Sequence, residues 1–206
     1  MTSDTTPVIV AAARTPQGTR GGILSGLRSE DLSVTVVDEL LARTGLGSAD
    51  VDDLWWGCAQ QTGEQGNNLA RAVTLLSDLG ESVPAATINR WCASSAAAIT
   101  RAADAVAAGQ RTCVIAGGVE NMSRVGTLEN LHSIHPALGD RCGVDRIRMG
   151  STAEAVAEEY AIDRAAQDEY ALRSHRRAAR ATDDGRFGTE IVPVETGTGV
   201  VTGDEG

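Results

Sequence analysis

Short apolar runs alternate with amphipathic stretches over the first half of the chain. Continuous apolar runs of this length suit strands of a sheet that is covered on both faces. Strands are predicted at Pro7–Ala13, Asp53–Ala59, Ala85–Asn89 and Cys113–Ala116, and helices at Ser29–Arg43, Asn67–Leu79 and Ala93–Ala108. Strands that alternate with helices so regularly predict an α/β fold with a parallel sheet covered by helices.

Polar residues and glycines mark the ends of these helices. Ser29 and Asn67 are predicted N-caps, because a short polar side chain accepts a hydrogen bond from a free N–H group of the first turn. Gly45 and Gly109 are predicted to end the first and third helices, because glycine readily adopts the left-handed conformation that follows many helices.

The pattern changes after Met122. Residues 124–148 are typical of a loop, and two helical stretches follow at Thr152–Tyr160 and Arg164–Asp184. The segment EIVPVE, residues 190–195, predicts a last short strand before a glycine-rich stretch. We therefore predict two domains, residues 1–122 and residues 123–206.

Composition narrows the possible functions. Hydrophobic residues make up 42% of the chain and aromatic residues only 3%, so we expect a core of alanine, valine, leucine and isoleucine. The net charge of -10 argues against a broad surface for nucleic acid or anionic membranes. All 18 basic residues are arginines, and the absence of lysine excludes a Walker-type phosphate loop and Schiff-base chemistry.

The cysteines and the apolar runs indicate the compartment. Cys58, Cys92, Cys113 and Cys142 are widely spaced and form no CxxC pair. The start of the chain shows no basic leader, and no apolar stretch approaches the ~20 residues of a membrane span. These features predict a cytoplasmic protein with reduced thiols.

One cysteine stands at a predicted junction between a strand and a helix. In NRWCASSAAAI, residues 89–99, Cys92 precedes small residues that open a helix. N–H groups at a helix start favour the nucleophilic thiolate, and the same groups could hold an oxyanion. The alternative is that Cys92 fills space as a small apolar residue, which is the interpretation we favour for the other cysteines.

Two other groups of residues suit chemistry less well. His132, His135 and Cys142 have a spacing that fits no strong zinc pattern, so we predict no metal site. Four arginines share one face of the last predicted helix: Arg173, Arg176, Arg177 and Arg180. They could meet phosphates, but we favour the interpretation that they complement the dipole of a helix that begins with acidic residues.

Six ordered segments resemble the thiolases, the enzymes that cleave or form 3-ketoacyl-CoA. These segments are VIVAAARTPQGTRGG, GCAQQTGEQGNNLAR, NRWCASSAAAI, VIAGGVENMSR, MGSTAEAVAEEYAIDRAAQDEYALRSHRRA and GRFGTEIVPVE. Together they cover nearly the whole chain. The resemblance implies a thiolase-like layered α/β fold with a mixed, mostly parallel sheet covered by helices, of which this chain holds the N-terminal half.

The resemblance also implies roles for individual residues. Cys92 is the nucleophile that attacks 3-ketoacyl-CoA and passes the acyl group to a second CoA, so coenzyme A is a substrate and no cofactor is permanently bound. Met149 aligns with a methionine that lines the acyl and pantetheine channel. GEQGNN, residues 63–68, resembles a loop that reaches a partner subunit, although an ordinary helix entry is the alternative. Glu120 and Asn121 are expected to form internal hydrogen bonds.

The same resemblance implies a domain assignment and a direction of reaction. Residues 1–122 match the N-terminal domain that carries the nucleophile, residues 123–206 match an incomplete loop domain that covers the substrate, and the C-terminal domain is absent. The interval between residues 125 and 148 is short, as in the degradative thiolases. We therefore expect a homodimer of the fatty-acid β-oxidation type.

The chain departs from the family pattern beside the predicted nucleophile. Trp91 stands where thiolases usually carry leucine or phenylalanine, and Ser95 stands where they usually carry glycine. These residues could reshape the acyl pocket, or they could reflect relaxed selection on rate. His135 precedes a proline, but its context does not match the family's GHP histidine, so that role is not assigned to it.

The second half of a thiolase supplies the GHP histidine, an asparagine that helps to hold a water, and a CxG cysteine that moves protons; this sequence contains none of these motifs. Its last residues, DEG, resemble a motif inside the loop domain. We expect a shortened gene product, one subunit of a split enzyme, or a retired paralogue. A non-catalytic subunit that binds an intact homologue or acyl-CoA is the alternative function.

Overall fold

The computed structural model describes residues 6–126, 135–143 and 148–205. The chain divides into two compact units. The first comprises residues 1–129 together with residues 190–206, and the second comprises residues 130–189. The last segment of the chain therefore belongs to the first unit, whereas the sequence assigned it to the loop domain. The domain assignment from the sequence stays a prediction.

Three parallel strands form the sheet of the first unit. They are β1 (Asp53–Gly57), β2 (Ala85–Ile88) and β3 (Val114–Gly118), in the order β2-β1-β3. The register places Trp55 of β1 between Ala86 of β2 and Ala116 of β3. The predicted α/β fold with a parallel sheet is confirmed.

Helices cover the sheet on both faces, because successive side chains of a strand point to opposite faces. Leu54 and Trp56 of β1 are buried in a core formed with α1 (Ser29–Thr44) and α2 (Leu69–Leu76). On the other face, Trp55 lies with residues of α3 (Ser94–Ala107) around a shallow surface pocket. The core contains few aromatic side chains, as the composition predicts: its buried aliphatic residues include Val37, Leu54, Leu69, Val73, Leu79 and Val83.

The first predicted strand is wrong in this structure. The segment Pro7–Ala13 has no regular secondary structure, and Val8, Ile9 and Val10 are between 77% and 84% exposed. Ala12 O accepts from the Arg43 guanidinium at 3.1 Å, and just past the segment Arg14 bridges to Ile191 in parallel orientation. Apolar residues form a strand only when a neighbouring strand takes up their backbone hydrogen bonds, and the described residues pair no strand with this segment.

Two predicted helix caps are also wrong, each by one residue. Arg28 is the N-cap of α1, and Ser29 lies inside the helix, where its hydroxyl donates to Gln65 Oε1 at 2.7 Å. Asn68 caps α2 and accepts from Arg71 N, whereas Asn67 precedes it with a φ of 54°. The predicted helix ends at Gly45 and Gly109 are confirmed, and both glycines have positive φ.

A hairpin from the end of the chain completes the first unit. Its strands β4 (Val194–Thr196) and β5 (Gly199–Val201) are antiparallel, and Val194 and Val201 pack in a small core with Leu24 and Leu32. Arg14, near the start of the chain, pairs with acidic residues on both sides of this hairpin. Its guanidinium makes a two-pronged contact with Asp204 at 2.6 and 2.9 Å, and it also pairs with Glu190 at 2.8 Å.

The second unit is helical where it is described. It contains α4 (Pro136–Cys142), α5 (Met149–Glu159) and α6 (Arg164–Asp183). Asp163 caps α6 by accepting from Ala166 N at 2.8 Å. The described residues of α5 and α6 include none that is buried. No helix among the described residues is long and apolar enough to cross a membrane.

The Arg14–Asp204 pair predicts an acid-sensitive contribution to stability. The Arg14 guanidinium, with the backbone N–H of Gln17, holds the pKa of Asp204 below its usual value. A carboxyl with a lowered folded-state pKa stabilises the fold above its unfolded pKa of about 3.9, and this stability is lost as the pH falls through the folded pKa. Asp204→Asn should lower the free energy of unfolding by about 1–3 kcal/mol at pH 7, and the difference from the parent chain should shrink below about pH 4.

Tryptophan fluorescence during urea unfolding measures this effect, because Trp55, Trp56 and Trp91 all lie in the first unit. Glu195→Gln is the matched control, since it removes one exposed carboxylate from the same hairpin. If the two variants have the same free energy of unfolding at every pH, the Arg14–Asp204 pair makes no acid-sensitive contribution to stability.

Candidate active site

Cys92 lies at the edge of the sheet where strands β1, β2 and β3 end. It follows β2 by four residues and precedes α3 by two. Its side chain is exposed and its thiol is free. The structure therefore places the predicted nucleophile at a junction between a strand and a helix, on the edge where open α/β sheets bind ligands.

Trp91 gives this junction an unusual backbone. Its φ is 51°, in the left-handed region that bulky residues rarely enter, and its indole is 57% exposed. Ser94 closes the turn behind it. The Ser94 N–H donates to Trp91 O at 2.9 Å, and the Ser94 hydroxyl donates to the same oxygen and accepts from Arg90 N at 2.8 Å. This turn directs the chain from the strand into α3 and leaves Cys92 on the outside.

The start of α3 is open to an anion. Ala93 is its N-cap, and no side chain among the described residues caps the helix there. The first N–H groups of a helix have no partner within it, and they carry the positive end of the helix dipole. The Ser94 N–H already donates to Trp91 O, and the positive end of the dipole would favour an oxyanion at this end of α3.

Two glycines allow α3 to start directly on the sheet. A Cβ added to Gly57 at the end of β1 would lie 2.8 Å from Ser95 Cα, and still closer to the peptide that joins Ser94 and Ser95. A Cβ added to Gly118 at the end of β3 would collide with Ser95 Oγ. The Ser95 side chain therefore faces the sheet, and the space over Gly118 accommodates its hydroxyl.

A hydrogen-bond network joins the loops that follow the three strands. Glu120 Oε2, just after β3, accepts from Ala59 N at 2.9 Å. Ala59 O, just after β1, accepts from Asn89 Nδ2 at 2.9 Å, and Asn89 Oδ1 accepts from Trp91 N at 2.9 Å.

Gln65 anchors the inner end of this network. Its side chain is fully buried; Oε1 accepts from Ser29 Oγ at 2.7 Å and from Asn121 N at 2.8 Å, and Nε2 donates to Glu120 Oε1. The prediction that Glu120 and Asn121 form internal hydrogen bonds is confirmed.

The remaining cysteines have environments unlike that of Cys92. Cys58 is buried, and burial together with Glu120 raises the pKa of its thiol to about 12. Burial also raises the pKa of Cys113. Both thiols are therefore poor nucleophiles at neutral pH, since the thiolate is the reactive form. Cys142 is exposed at the end of α4 in the second unit.

Other predicted site residues lie in the second unit or outside the described residues. Met149 is the first residue of α5 and is 75% exposed. Of the three residues considered as metal ligands, His132 lies outside the described residues. His135 Nδ1 accepts from Ala137 N at 3.2 Å. The described residues contain no cluster of three or more His, Cys, Asp or Glu side chains suited to a metal. The four arginines of α6 are exposed.

The sequence did not reveal the roles of Gln65 and Asn89. The segment GEQGNN predicts a loop toward a partner or a helix entry, and the partner role stays a prediction; in the structure Gly63–Gln65 forms a 3-10 turn that buries Gln65. An asparagine just after a strand is a common turn residue, so Asn89 alone carried no specific signal. The position of Glu120 two residues past the neighbouring strand was the available indication that these loops meet.

Comparison with known proteins identifies the family. The model of the thiolase N-terminal domain matches residues 7–206, and the chain belongs to the thiolase family. It is 44% identical over 190 residues to a 3-ketoacyl-CoA thiolase of Marinomonas sp. (strain MWYL1), with 91% of this chain and 48% of the relative covered. It is 46% identical over 190 residues to the protein of the same name from Erwinia tasmaniensis, covering 91% of this chain and 49% of that protein. The chain thus spans about half the length of the curated relatives it matches.

The close contact at Gly57 predicts a large effect of one methyl group. Gly57→Ala should push the first turn of α3 off the sheet and lower the free energy of unfolding by about 1–3 kcal/mol. Gly26→Ala is the matched control, because a Cβ there has no neighbour within 4 Å; we expect a change within about 0.5 kcal/mol. Urea unfolding of both variants tests this, and equal stabilities would contradict the close-contact argument.

Proposed function

We propose that this chain carries the nucleophile-bearing half of a 3-ketoacyl-CoA thiolase and that Cys92 is its nucleophile. The observation that carries the proposal is the exposed Cys92 thiol at the uncapped start of α3, in a chain that belongs to the thiolase family. Helix-terminal N–H groups can stabilise an oxyanion that forms during attack, and the small residues that follow Cys92 leave room for an acyl chain.

The proposed reaction has two covalent steps. The Cys92 thiolate attacks C3 of a 3-ketoacyl-CoA, the C2–C3 bond breaks, and its electron pair leaves on C2 as the enolate of acetyl-CoA. A proton donor must convert this enolate to acetyl-CoA. The thiolate of a second CoA then attacks the acyl thioester, which gives the shortened acyl-CoA and restores the Cys92 thiolate. Coenzyme A is thus a substrate, and no cofactor is permanently bound.

The proposal extends to the finer assignments from the resemblance. Met149 would line the channel for the acyl and pantetheine groups. The reaction would run in the degradative direction, as part of fatty-acid β-oxidation in the cytoplasm, where free cysteines such as those of this chain stay reduced. The chain would act in a homodimer, or with a complementary thiolase C-terminal half that donates and accepts the protons.

A direct exchange of thioesters tests the nucleophile without the proton donor. Attack of the Cys92 thiolate on acetyl-CoA forms the acetyl-cysteine thioester and releases the CoA thiolate, so no carbanion needs a proton. After incubation with acetyl-CoA, we expect an acetyl group on Cys92 by peptide mass spectrometry and none on Cys92→Ala. Cys142→Ala, which removes the other exposed cysteine, should be acetylated as the parent chain is.

Thiolysis of acetoacetyl-CoA and of a longer 3-ketoacyl-CoA should be measured on the same samples. Acetylation of Cys92 without turnover is the result expected if proton transfer belongs to a complementary half. Acetylation of Cys142 in place of Cys92 would overturn the proposal, and so would the absence of any adduct. Either would favour the alternative of a non-catalytic subunit that binds an intact homologue or acyl-CoA.

A further inference from the structure

We propose that Glu120 and Asn89 are positioning residues for Cys92, linked to each other through the backbone of Ala59. This inference rests on the proposed role of Cys92 as nucleophile and names the residues that hold it in place. In the described part of the chain, neither side chain forms a hydrogen bond with the Cys92 sulfur, so both act through intervening groups. We call the sequence of contacts Glu120–Ala59–Asn89–Trp91 the elbow relay.

The first part of the elbow relay joins the ends of β3 and β1. Glu120 Oε2 accepts from Ala59 N at 2.9 Å, and Glu120 Oε1 accepts from Gln60 N at 3.3 Å. A carboxylate that receives backbone N–H groups makes charge-assisted hydrogen bonds, which are stronger than neutral ones. The peptide before Gln60 is thereby fixed relative to β3.

The second part of the elbow relay connects the loop after β1 to the residues that follow β2. The carbonyl of Ala59 accepts from Asn89 Nδ2 at 2.9 Å, so the Asn89 side chain is tied to the loop after β1. The oxygen of the same side-chain amide, Asn89 Oδ1, accepts from Trp91 N at 2.9 Å. Asn89 is thus bonded on both sides, and its orientation is set by the position of Ala59.

The contact with Trp91 acts at the most strained point of the junction. Trp91 has a φ of 51°, a conformation that bulky residues keep only when their surroundings impose it. Release of the Trp91 N–H would let this residue return to a right-handed conformation. Cys92 follows immediately, so such a change would alter the position of its thiol relative to the start of α3.

Glu120, the first residue of the elbow relay, is held in place by a buried side chain. Gln65 Nε2 donates to Glu120 Oε1, and Gln65 is fully buried between Ser29 and Asn121. Glu120 itself is exposed at the surface, so its substitution removes contacts with backbone N–H groups and with the Gln65 amide without opening a core cavity.

The rate of alkylation of Cys92 by iodoacetamide at pH 7, resolved by peptide mass spectrometry, measures how the thiol is presented. Cys142 is an internal reference in the same sample, because it is exposed and belongs to the second unit. Asn89→Ala and Glu120→Ala should each lower the Cys92 rate relative to Cys142 by about threefold to tenfold. Asn89→Asp keeps an acceptor for Trp91 N and should give an intermediate rate.

A double substitution separates the relay from general loss of stability. Asn89→Ala already disconnects Cys92 from Glu120, so the double variant with Glu120→Ala should react within about twofold of Asn89→Ala alone. Asp52→Ala is the control for lost backbone contacts. The Asp52 carboxylate accepts from Thr112 N at 2.6 Å and Cys113 N at 3.1 Å at the opposite edge of the sheet, and its loss should leave the rate ratio unchanged.

Two results would overturn the relay. One is an unchanged rate ratio in Asn89→Ala, whose exposed side chain can be removed without loss of core packing. The other is a double variant in which the two single effects multiply, because independent effects exclude a shared path. Acetylation by acetyl-CoA distinguishes the two proposals: slowed alkylation without any acetylation of the parent chain supports the relay and contradicts the proposed function.

Discussion

The contact between the first turn of α3 and the sheet is the constraint on which the candidate site depends. Gly57 and Gly118 leave no side chain between the strands and the Ser94–Ser95 peptide, so the helix starts directly above the ends of β1 and β3. A helix that begins there presents its N–H groups at the edge where the strand loops meet. The position of Cys92 just before α3 therefore depends on two glycines that are distant from it in the sequence.

Polar groups at this edge arrange the loops in a fixed order. Each of the three strands contributes one residue just past its end: Ala59 after β1, Asn89 after β2 and Glu120 after β3. Parallel strands bring such residues together, although they are distant in sequence. Hydrogen bonds between these residues fix the position of the junction between β2 and α3 relative to the sheet. Gln65 connects this network to α1, because it bonds both Glu120 and the buried Ser29.

The alternation of apolar runs and helices was enough to predict the sheet, its parallel direction and the three covering helices, because each signal is local. The same pattern failed at Val8, Ile9 and Val10, since apolar character indicates burial without indicating the partner that provides it. Cys92 could be selected from its place before a run of small residues. The contributions of Gln65, Asn89 and Gly57 could not, because each depends on a tertiary contact between segments that are far apart in sequence.

The departures from the family pattern beside Cys92 acquire a physical meaning in this setting. A left-handed Trp91 costs on the order of 1–3 kcal/mol, and each neutral hydrogen bond that supports it contributes only about 0.5–1.5 kcal/mol. The hydrogen bonds that Trp91 makes with Asn89 and Ser94 together offset a cost of this size. Ser95 does not disturb it, since its hydroxyl is directed toward Gly118 and away from the exposed side where Cys92 lies. If Cys92 carries an acyl group as proposed, Trp91 is the departure that would affect it, because Trp91 is exposed and precedes Cys92 directly, whereas Ser95 faces the sheet.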